Sequence, residues 1–348
     1  TFMKVLFVCS GNNKNFDIVP FIKEQGEALR KQGIDIGYYP VIGKGLPGYI
    51  RAGFRLKKHL KQNPYDLVHA HFTLSGWAAV IGAGKIPVVL SLMGSDAYGE
   101  YIGVNRIQFS SRLYMFLTWL IQPFVKIIIS KSENIEKHVY MKAKSFVIPN
   151  GVDVDKFKPV SCELNEFIHL KKNKKLILFI GKPDNIRKNF PLAQEAVARL
   201  KMDNVELVNP YPLKHNEVPG YLNAADVLIH TSLMEGSPNL VKEAMACNCP
   251  VVSTDIGDVK WLFGNTPGYY ITSFNAKDIQ EKLQAALEFS EEEGRTKGER
   301  RIAELGLGAE PIAKKIKGLY HKILGNHTDP APAVRMNMKY QEEMVKTS

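Results

Sequence analysis

Residues 232–252 read SLMEGSPNLVKEAMACNCPVV. Within this stretch Ser237 suits a helix N-cap, Pro238 suits the first helical position, where its missing donor is harmless, and Asn248 followed by Pro250 closes the segment. That predicts a helix over residues 238–247. DVLIHT (226–231) before it and PVVST (250–254) after it are apolar strands. Strand, polar loop, helix and strand in that order make a βαβ unit of a parallel sheet. The loop and the helix N-terminus then lie at the carboxyl edge of the sheet, where unpaired backbone N–H groups attract phosphate. Glu235, Gly236, Ser237, Pro238, Asn239 and Leu240 are the residues so placed.

Glu243 follows Glu235 by eight positions, a span that rises roughly 12 Å if fully helical. Carboxylates that far apart fit a glycosidase pair poorly, since that chemistry wants roughly 5 to 9.5 Å between them. They suit the two ends of one long ligand, with a sugar hydroxyl at Glu235, a ribose hydroxyl at Glu243 and a diphosphate between them on the amides of residues 237–240. A plain alternative stands beside this: Glu235 favours a helix N-terminus electrostatically and Glu243 lies on a solvated face.

The run EGSPNLVKEAMACNCPVVSTDIGDV resembles the E-x7-E signature of the retaining family-four glycosyltransferases. Asn248 stands where that pattern usually has glycine, a change that a left-handed cap accepts. The family has the GT-B architecture, and the resemblance implies nucleotide-sugar chemistry without a metal.

The 348 residues, 45% of them apolar and 23% charged, are enough for two ordinary cores. The four cysteines, Cys9, Cys162, Cys247 and Cys249, lack zinc-like spacing and read as reduced thiols of a cytoplasmic protein. No signal peptide is expected, with Thr1 and Phe2 ahead of Met3 taken as residues added before the natural start. The longest apolar run, residues 113–129, is interrupted by Gln122, Pro123 and Lys126 and predicts a buried helix followed by a strand, not a membrane span. A net charge of +11 points to an acidic partner: a diphosphate, an anionic lipid surface or nucleic acid. No aromatic platform, zinc finger or helix-turn-helix pattern accompanies the charge, which argues against nucleic acid.

From the start, MKVLFVC (3–9) predicts a buried parallel strand, and the polar turn SGNNKNF (10–16) leads into a helix ending near Lys31. Gly11 in that turn would let backbone approach a phosphate; an ordinary strand-to-helix turn accounts for it equally. The resemblance places this loop on the donor, though the family usually has two adjacent glycines. Residues 35–40 predict a strand and 46–62 a basic amphipathic helix, with Arg51, Arg55, Lys58 and Gln62 on one side and Ile50, Phe54 and Leu60 on the other. Its basic side is either a solvated face or a contact for an anionic acceptor or membrane. DLVHAH (66–71) puts His69 and His71 on one side of a strand. Paired histidines suggest zinc, but no third ligand is evident. His71 resembles the last histidine of the family's D-x-x-H-x-H segment, which implies a place near the reacting sugar, and His69 reads as a packed neighbour. PVVLSLMGSD (87–96) ends another strand at the same edge, with Ser95 and Asp96 matching H-G-S-D of relatives and Met93 departing from it.

SFVIPNGVDVDKFKP (145–159) matches the family's N-G-V-D-x-x-x-F-x-P linker at Asn150, Gly151, Val152, Asp153, Phe157 and Pro159. Asp153-Val154-Asp155 resembles the metal-binding D-x-D of another transferase class, but in this linker it reads as turn chemistry. KLILFIGK (175–182) restarts a second domain, and Gly181, Lys182 and Lys188 match a G-R…K spacing, with lysine where arginine is usual. Lys182 keeps a point charge for a diphosphate but lacks the bidentate fork, for which Arg187 compensates. Only YPLKHNE (211–217) stands where relatives carry a further strand and helix, which implies a trimmed base-binding wall.

The expected architecture is therefore α/β: GT-B, two facing doubly wound, Rossmann-like domains with a cleft between them. Residues 1–158 are expected on the acceptor side, 159–325 on the nucleotide-sugar side, with a tail (326–348) crossing back as a helix or staying mobile. The resemblance implies a retaining hexosyltransferase-type enzyme, with Glu235, Lys188 and His71 catalytic. Gly11, Gly181, Lys182, Arg187, Gly236, Ser237, Pro238, Asn239, Leu240 and Glu243 would hold the donor, and Arg51, Arg55, Ser95 and Asp96 the acceptor. It implies no cofactor and no metal. The partners expected are a nucleotide sugar, a carbohydrate or lipid-linked acceptor of polysaccharide biosynthesis, and the anionic inner face of a membrane. A GT-B sugar-nucleotide epimerase and a non-catalytic partner subunit are the alternatives.

Overall fold

The computed structural model describes residues 3–12, 17–161, 167 and 174–325, and these form two compact α/β units. The described residues within 3–99, 109–151 and 310–325 make the first, and those within 100–108 and 152–309 the second.

In chain order the elements are β1 (Lys4–Ser10), α1 (Pro20–Lys31), β2 (Asp35–Val41), α2 (Gly45–Gln62), β3 (Leu67–His71), α3 (Thr73–Ala83), β4 (Val88–Leu92) and the single turn α4 (Ser95–Tyr98). A short hairpin, β5 (Tyr101–Gly103) and β6 (Arg106–Ile107), belongs to the second unit. α5 (Arg112–Ile121), β7 (Ile127–Ser130), α6 (Glu133–Glu136) and β8 (Ser145–Val147) return to the first. The second unit continues with β9 (Lys175–Leu178), α7 (Phe190–Ala198), β10 (Val205–Val208), α8 (Val218–Ala224), β11 (Val227–His230), α9 (Asn239–Ala246) and β12 (Val251–Thr254). α10 (Val259–Phe263), β13 (Tyr269–Thr272), α11 (Ala276–Glu292), α12 (Gly298–Glu304) and α13 (Ala309–Leu324) close the described chain.

Both main sheets are parallel, ordered β2-β1-β3-β4-β7-β8 and β10-β9-β11-β12-β13. Parallel sheets are covered on both faces, which is why β3, β4, β7, β11 and β12 are buried at every residue instead of alternating. In the second unit α7 and α11 seal one face, with Ala193, Ala196, Ile279 and Leu283 on Ile177, Ile229 and Val252. Each large aliphatic side chain buried there contributes about 1.5–3 kcal/mol. In each sheet the order reverses once, between β1 and β3 and between β9 and β11. The loops leaving those strands part to opposite sides, opening a crevice at the carboxyl ends.

The chain passes from the first unit to the second at residue 152, and residues 310–325 belong to the first unit. Tyr320 of α13 is buried there and bonds His69 Nδ1 at 2.5 Å, a tertiary contact that local pattern does not carry. The expected tail, 326–348, lies outside the described residues. The expectations for α2 and α5 are corrected. On α2 the buried side is Tyr49, Ala52, Gly53, Leu56 and Leu60, so Ile50 and Phe54 face outward with the cations. Nor is α5 a buried helix: only Leu117, Thr118 and Ile121 of it turn inward. Cys9, Cys247 and Cys249 are buried free thiols, and Cys162 lies outside the described residues.

Candidate active site

The topological switch between β9 and β11 brings together two loops far apart in sequence. The loop after β9 ends in a turn of 3-10 helix, Ile186–Lys188, held by the Asn185 side chain, which accepts from the Arg187 amide at 3.1 Å. The loop after β11 docks on it: Leu233 N donates to Arg187 O at 2.8 Å, and Thr231 Oγ1 donates to the carbonyls of Lys188 and Asn189 at 3.1 and 3.0 Å. Those bonds set Lys188 against Glu235, Nζ to Oε1 2.7 Å, with Arg187 Nη1 3.6 Å from Oε2.

A third loop, after β12, packs beneath. Gly257 has φ +58°, and a Cβ there would lie 2.3 Å from the Gly236 carbonyl oxygen, so this close approach requires glycine. Behind Glu235, Ser232 Oγ bonds its Oε1 at 3.3 Å and His230 Nε2 at 3.2 Å, while His230 Nδ1 meets Ser253 Oγ at 3.1 Å. Burial alone would raise the Glu235 carboxyl, but Lys188 and then Arg187 outweigh it and hold it down at about 2. Burial lowers His230 to about 3, reinforced by Lys188, so its imidazole stays neutral.

α9 opens from this cluster. Its N-cap is Pro238 (φ −68°, ψ 115°) and its first residue Asn239, with no side-chain cap, which corrects the expectation of Ser237 as cap and Pro238 as first residue. Proline's extended ψ delays the helix by one position, and the buried Ser237 hydroxyl has no hydrogen-bond partner among the described residues. At the other end Asn248 takes the left-handed conformation, φ 55°, as the sequence pattern implied.

Glu243 is not on a solvated face. It is buried, and His215 Nε2 lies 3.0 Å from its Oε1. Lys156 Nζ is 2.8 Å from His215 Nδ1, and since an ammonium only donates, Nδ1 accepts and Nε2 carries the proton given to Glu243. His215 escaped notice because it sits in a seven-residue polar segment with no periodicity; only its place in the trimmed wall was a signal. Lys242, with no exposed surface, and Asp258 were missed too, since burial of all positions 241–246 is invisible in a helix that reads as amphipathic. Burial lowers Lys242 to about 8 and raises Asp258 to about 6, each partly offset by the other.

The remaining candidates divide. Gly181 is bonded through its carbonyl by Asn209 Nδ2 at 2.9 Å, beside Lys188. Lys182 is exposed and paired with Asp184 at 2.8 Å, away from Glu235's ion pairs. In the first unit, His71 ends β3 at that sheet's own switch point, buried, stacked 4.4 Å from His69, with neither ring nitrogen hydrogen-bonded among the described residues. Burial, and then Lys131, keep it neutral. His69 is a packed neighbour between Tyr320 and Ser91. Gly11 donates to Val41 O at 2.9 Å, and a Cβ there would meet Pro40 and Ile42 at 2.7 Å, so sheet packing already demands this glycine. Asp96 is fully buried and accepts from the amides of Met93, Gly94 and Thr73 at 2.9–3.0 Å, which makes it an internal loop staple and not an open acceptor group. Ser95 is half-buried at the start of α4. Arg55 reaches Ile42 O at 2.9 Å, and Arg51 is exposed beside it on α2. Asp153 forms an Asx turn, accepting from the amides of Asp155 and Lys156 at 3.1 and 3.2 Å. No cluster of metal-binding side chains occurs among the described residues.

Two α/β domains with parallel sheets, one bearing a cation–carboxylate cluster at its switch point, define the GT-B class. Residues 4–156 match the family model "Glycosyltransferase Family 4", and residues 154–288 match "Glycosyl transferases group 1". The chain is 26% identical over 290 residues to the glycosyltransferase TuaC of Bacillus subtilis (strain 168), covering 73% of this chain and 71% of that one. Over 321 residues it is 24% identical to the UDP-Gal:alpha-D-GlcNAc-diphosphoundecaprenol alpha-1,3-galactosyltransferase of Escherichia coli, covering 80% and 81%. Sucrose-phosphate synthase of Thermosynechococcus elongatus has the same fold, with a TM-score of 0.74 over 93% of this chain and 99% of that one at 16% identity. The chain is a GT-B glycosyltransferase.

Proposed function

We propose that the enzyme transfers a sugar, with retention of anomeric configuration, from a nucleoside diphosphate to a hydroxyl of a lipid-linked carbohydrate. The observation that carries this is the Lys188–Arg187–Glu235 cluster beside the opening of α9. The diphosphate lies against Lys188, Arg187 and the amides of residues 237–240, with Gly181 and Gly236 leaving room and Lys182 adding charge at the rim. Glu235 orients the donor sugar, and Glu243 takes a ribose hydroxyl. On the first unit, His71 with its unpartnered nitrogens bonds a hydroxyl, Gly11 lines the donor loop, and Arg51, Arg55 and Ser95 serve the acceptor.

In the transfer, the bond from the sugar's anomeric carbon to the phosphate oxygen breaks and the acceptor oxygen bonds that carbon on the same face. The acceptor proton goes to the departing phosphate. Negative charge grows on that phosphate, so the cations and amides act where electrostatic stabilisation is largest. The same positive field replaces a divalent ion, and chelator is expected to leave activity intact. Two relatives, in Escherichia coli and Campylobacter jejuni, are named for diphosphoundecaprenol-linked acceptors, which supports a prenyl-diphosphate acceptor at the cytoplasmic face of a membrane and a place in polysaccharide biosynthesis. No described helix is long and apolar enough to cross a membrane.

A thermal-shift screen of nucleoside diphosphates and their sugars tests the donor site, since a ligand at a hundred times its dissociation constant adds about 2.7 kcal/mol. Product analysis with and without a prenyl-diphosphate-linked sugar then tests transfer. Failure of every nucleotide to shift the melting point sinks the donor site; a changed sugar nucleotide without acceptor means epimerisation instead.

A further inference from the structure

Among the described residues, α5 and the segments flanking it present apolar side chains that are about half exposed or more. Phe109 is 78% exposed, Phe124 59%, Phe116 55%, Trp119 52%, Leu113 51% and Tyr140 46%. They are not scattered singly. Phe116 stacks on Trp119 at 6.3 Å, and Trp119 meets Tyr140 at 5.4 Å. Lone exposed apolar residues are ordinary, but a contiguous aromatic surface marks an interaction site.

Cations outnumber carboxylates around it: residues 109–144 carry six Lys and Arg against Glu133 and Glu136, of which Glu136 pairs with Lys142 at 3.4 Å. Residues 109–126 carry Arg112 and Lys126, residues 137–144 carry Lys137, Lys142 and Lys144, and neither stretch contains Asp or Glu. Arg112 lies 5.2 Å over the Phe109 ring. Lys144 Nζ reaches Val125 O at 2.6 Å, directly beneath Phe124 in the chain. Cations rimming an aromatic face repel a second copy, because a two-fold contact would set the same cations against each other. They complement anionic lipid headgroups, and Trp, Tyr and Phe are the side chains that settle at the headgroup boundary while Lys and Arg keep their charge in water.

We propose that α5 lies on the surface of an anionic phospholipid bilayer, with Phe116 and Trp119 at its centre. This gives the lipid-linked acceptor of the proposed function a membrane face, but the exposed aromatic surface supports it independently of the donor chemistry. It also moves the contact from α2, whose cations suggested a membrane helix in sequence, to α5, because only one large apolar side chain of α2, Phe54, is as exposed as the aromatics here.

Co-sedimentation of the full chain with vesicles of phosphatidylcholine alone, or with a third phosphatidylglycerol, tests this at low and high salt. The wild type is expected to pellet with the anionic vesicles and to be released by salt. Phe116→Ser/Trp119→Ser should weaken binding about tenfold or more, and Arg112→Glu/Lys126→Glu by a similar factor. Arg51→Glu/Arg55→Glu on α2 should weaken it about threefold at most. All four substituted residues of α5 and its flank are exposed, so unchanged melting temperatures should show that the variants fold. The proposal is overturned if wild type stays in the supernatant, if the Ser double variant binds as wild type does, or if light scattering shows a wild-type dimer that the Ser variant splits without any vesicle binding. The nucleotide thermal-shift screen is unaffected by any of these results and judges the donor site separately.

Discussion

Lys188 donates from Nζ to Oε1 of Glu235 at 2.7 Å, so the cation assigned to the leaving phosphate and the carboxylate assigned to the sugar are one ion pair. Both side chains are largely buried, at 22% and 14% exposure. Lys188→Ala should therefore slow transfer about a hundredfold or more and, because the buried Glu235 carboxylate loses the cation nearest to it, cost about 1–3 kcal/mol of stability. In Lys188→Ala/Glu235→Gln the second substitution removes the stranded charge, so the stability costs should not add. Urea unfolding of the three variants decides; additive costs would refute the coupling.

Acid should weaken the fold in two stages, both set around Glu235. His230 is held neutral, its pKa depressed from 6.5 to about 3, so the unfolded chain takes up that proton first and stability falls as pH drops from 6.5 toward 3. Glu235, depressed from 4.5 to about 2, adds stability that is present above 4.5 and disappears as pH falls toward 2. One proton corresponds to a slope of about 1.4 kcal/mol per pH unit. Between pH 6 and 4.5, His230→Gln should flatten the measured slope by up to that amount. An identical slope in wild type and variant would show that His230 charges freely in the fold.

His215 points Glu243, and the two should fail alike. Removing either His215 (to Ala) or the charge of Glu243 (to Gln) disturbs a contact made equally in ground and transition states, so donor KM should rise several-fold with little change in kcat. Glu235→Gln should instead fall mainly on kcat. Calorimetric titration with a nucleoside diphosphate and its 2′,3′-dideoxy analogue gives the sharper test, since the ribose preference of wild type should shrink in His215→Ala and Glu243→Gln and persist in Glu235→Gln. The reverse ranking would invert the donor's orientation.

Lys242 and Asp258 are both buried, and the charge of each offsets part of what burial does to the other. Lys242→Met or Asp258→Asn alone should cost about 3 kcal/mol, because each leaves the other buried charge uncompensated. Lys242→Met/Asp258→Asn together should recover most of that loss. If the double variant is as unstable as the worse single, packing and not charge is what the pair provides.

The strand, loop, helix and strand of residues 226–254 were legible in order: β11 is Val227–His230, α9 Asn239–Ala246 and β12 Val251–Thr254. So was the left-handed turn at Asn248, φ 55°. Such features are decided within a few residues by side-chain branching, by proline's missing donor and by a short polar side chain that tolerates positive φ. The apolar runs also fixed the parallel, doubly covered character of both sheets, because a strand buried on two faces has no polar side to show. The bonds of Asp96 to the amides of Met93, Gly94 and Thr73 were not legible, since a carboxylate that staples three amides has the same letter as one that does not.

What sequence determined by itself was therefore the order of the elements around the switch point and the candidate residues on and between them, including Lys188, Glu235 and Glu243. Tertiary structure decided which of them meet. Lys188 and Glu235 are 47 positions apart, His215 and Glu243 28, and His69 and Tyr320 251. Each contact depends on which strands neighbour each other and where the chain reverses across the sheet, a choice made by burying whole faces at once. Local propensity has no reach over such distances. The same holds for α5: its apolar residues are written in the sequence, but whether Phe116 and Trp119 face a core or the outside follows only from what the rest of the first unit packs against the helix.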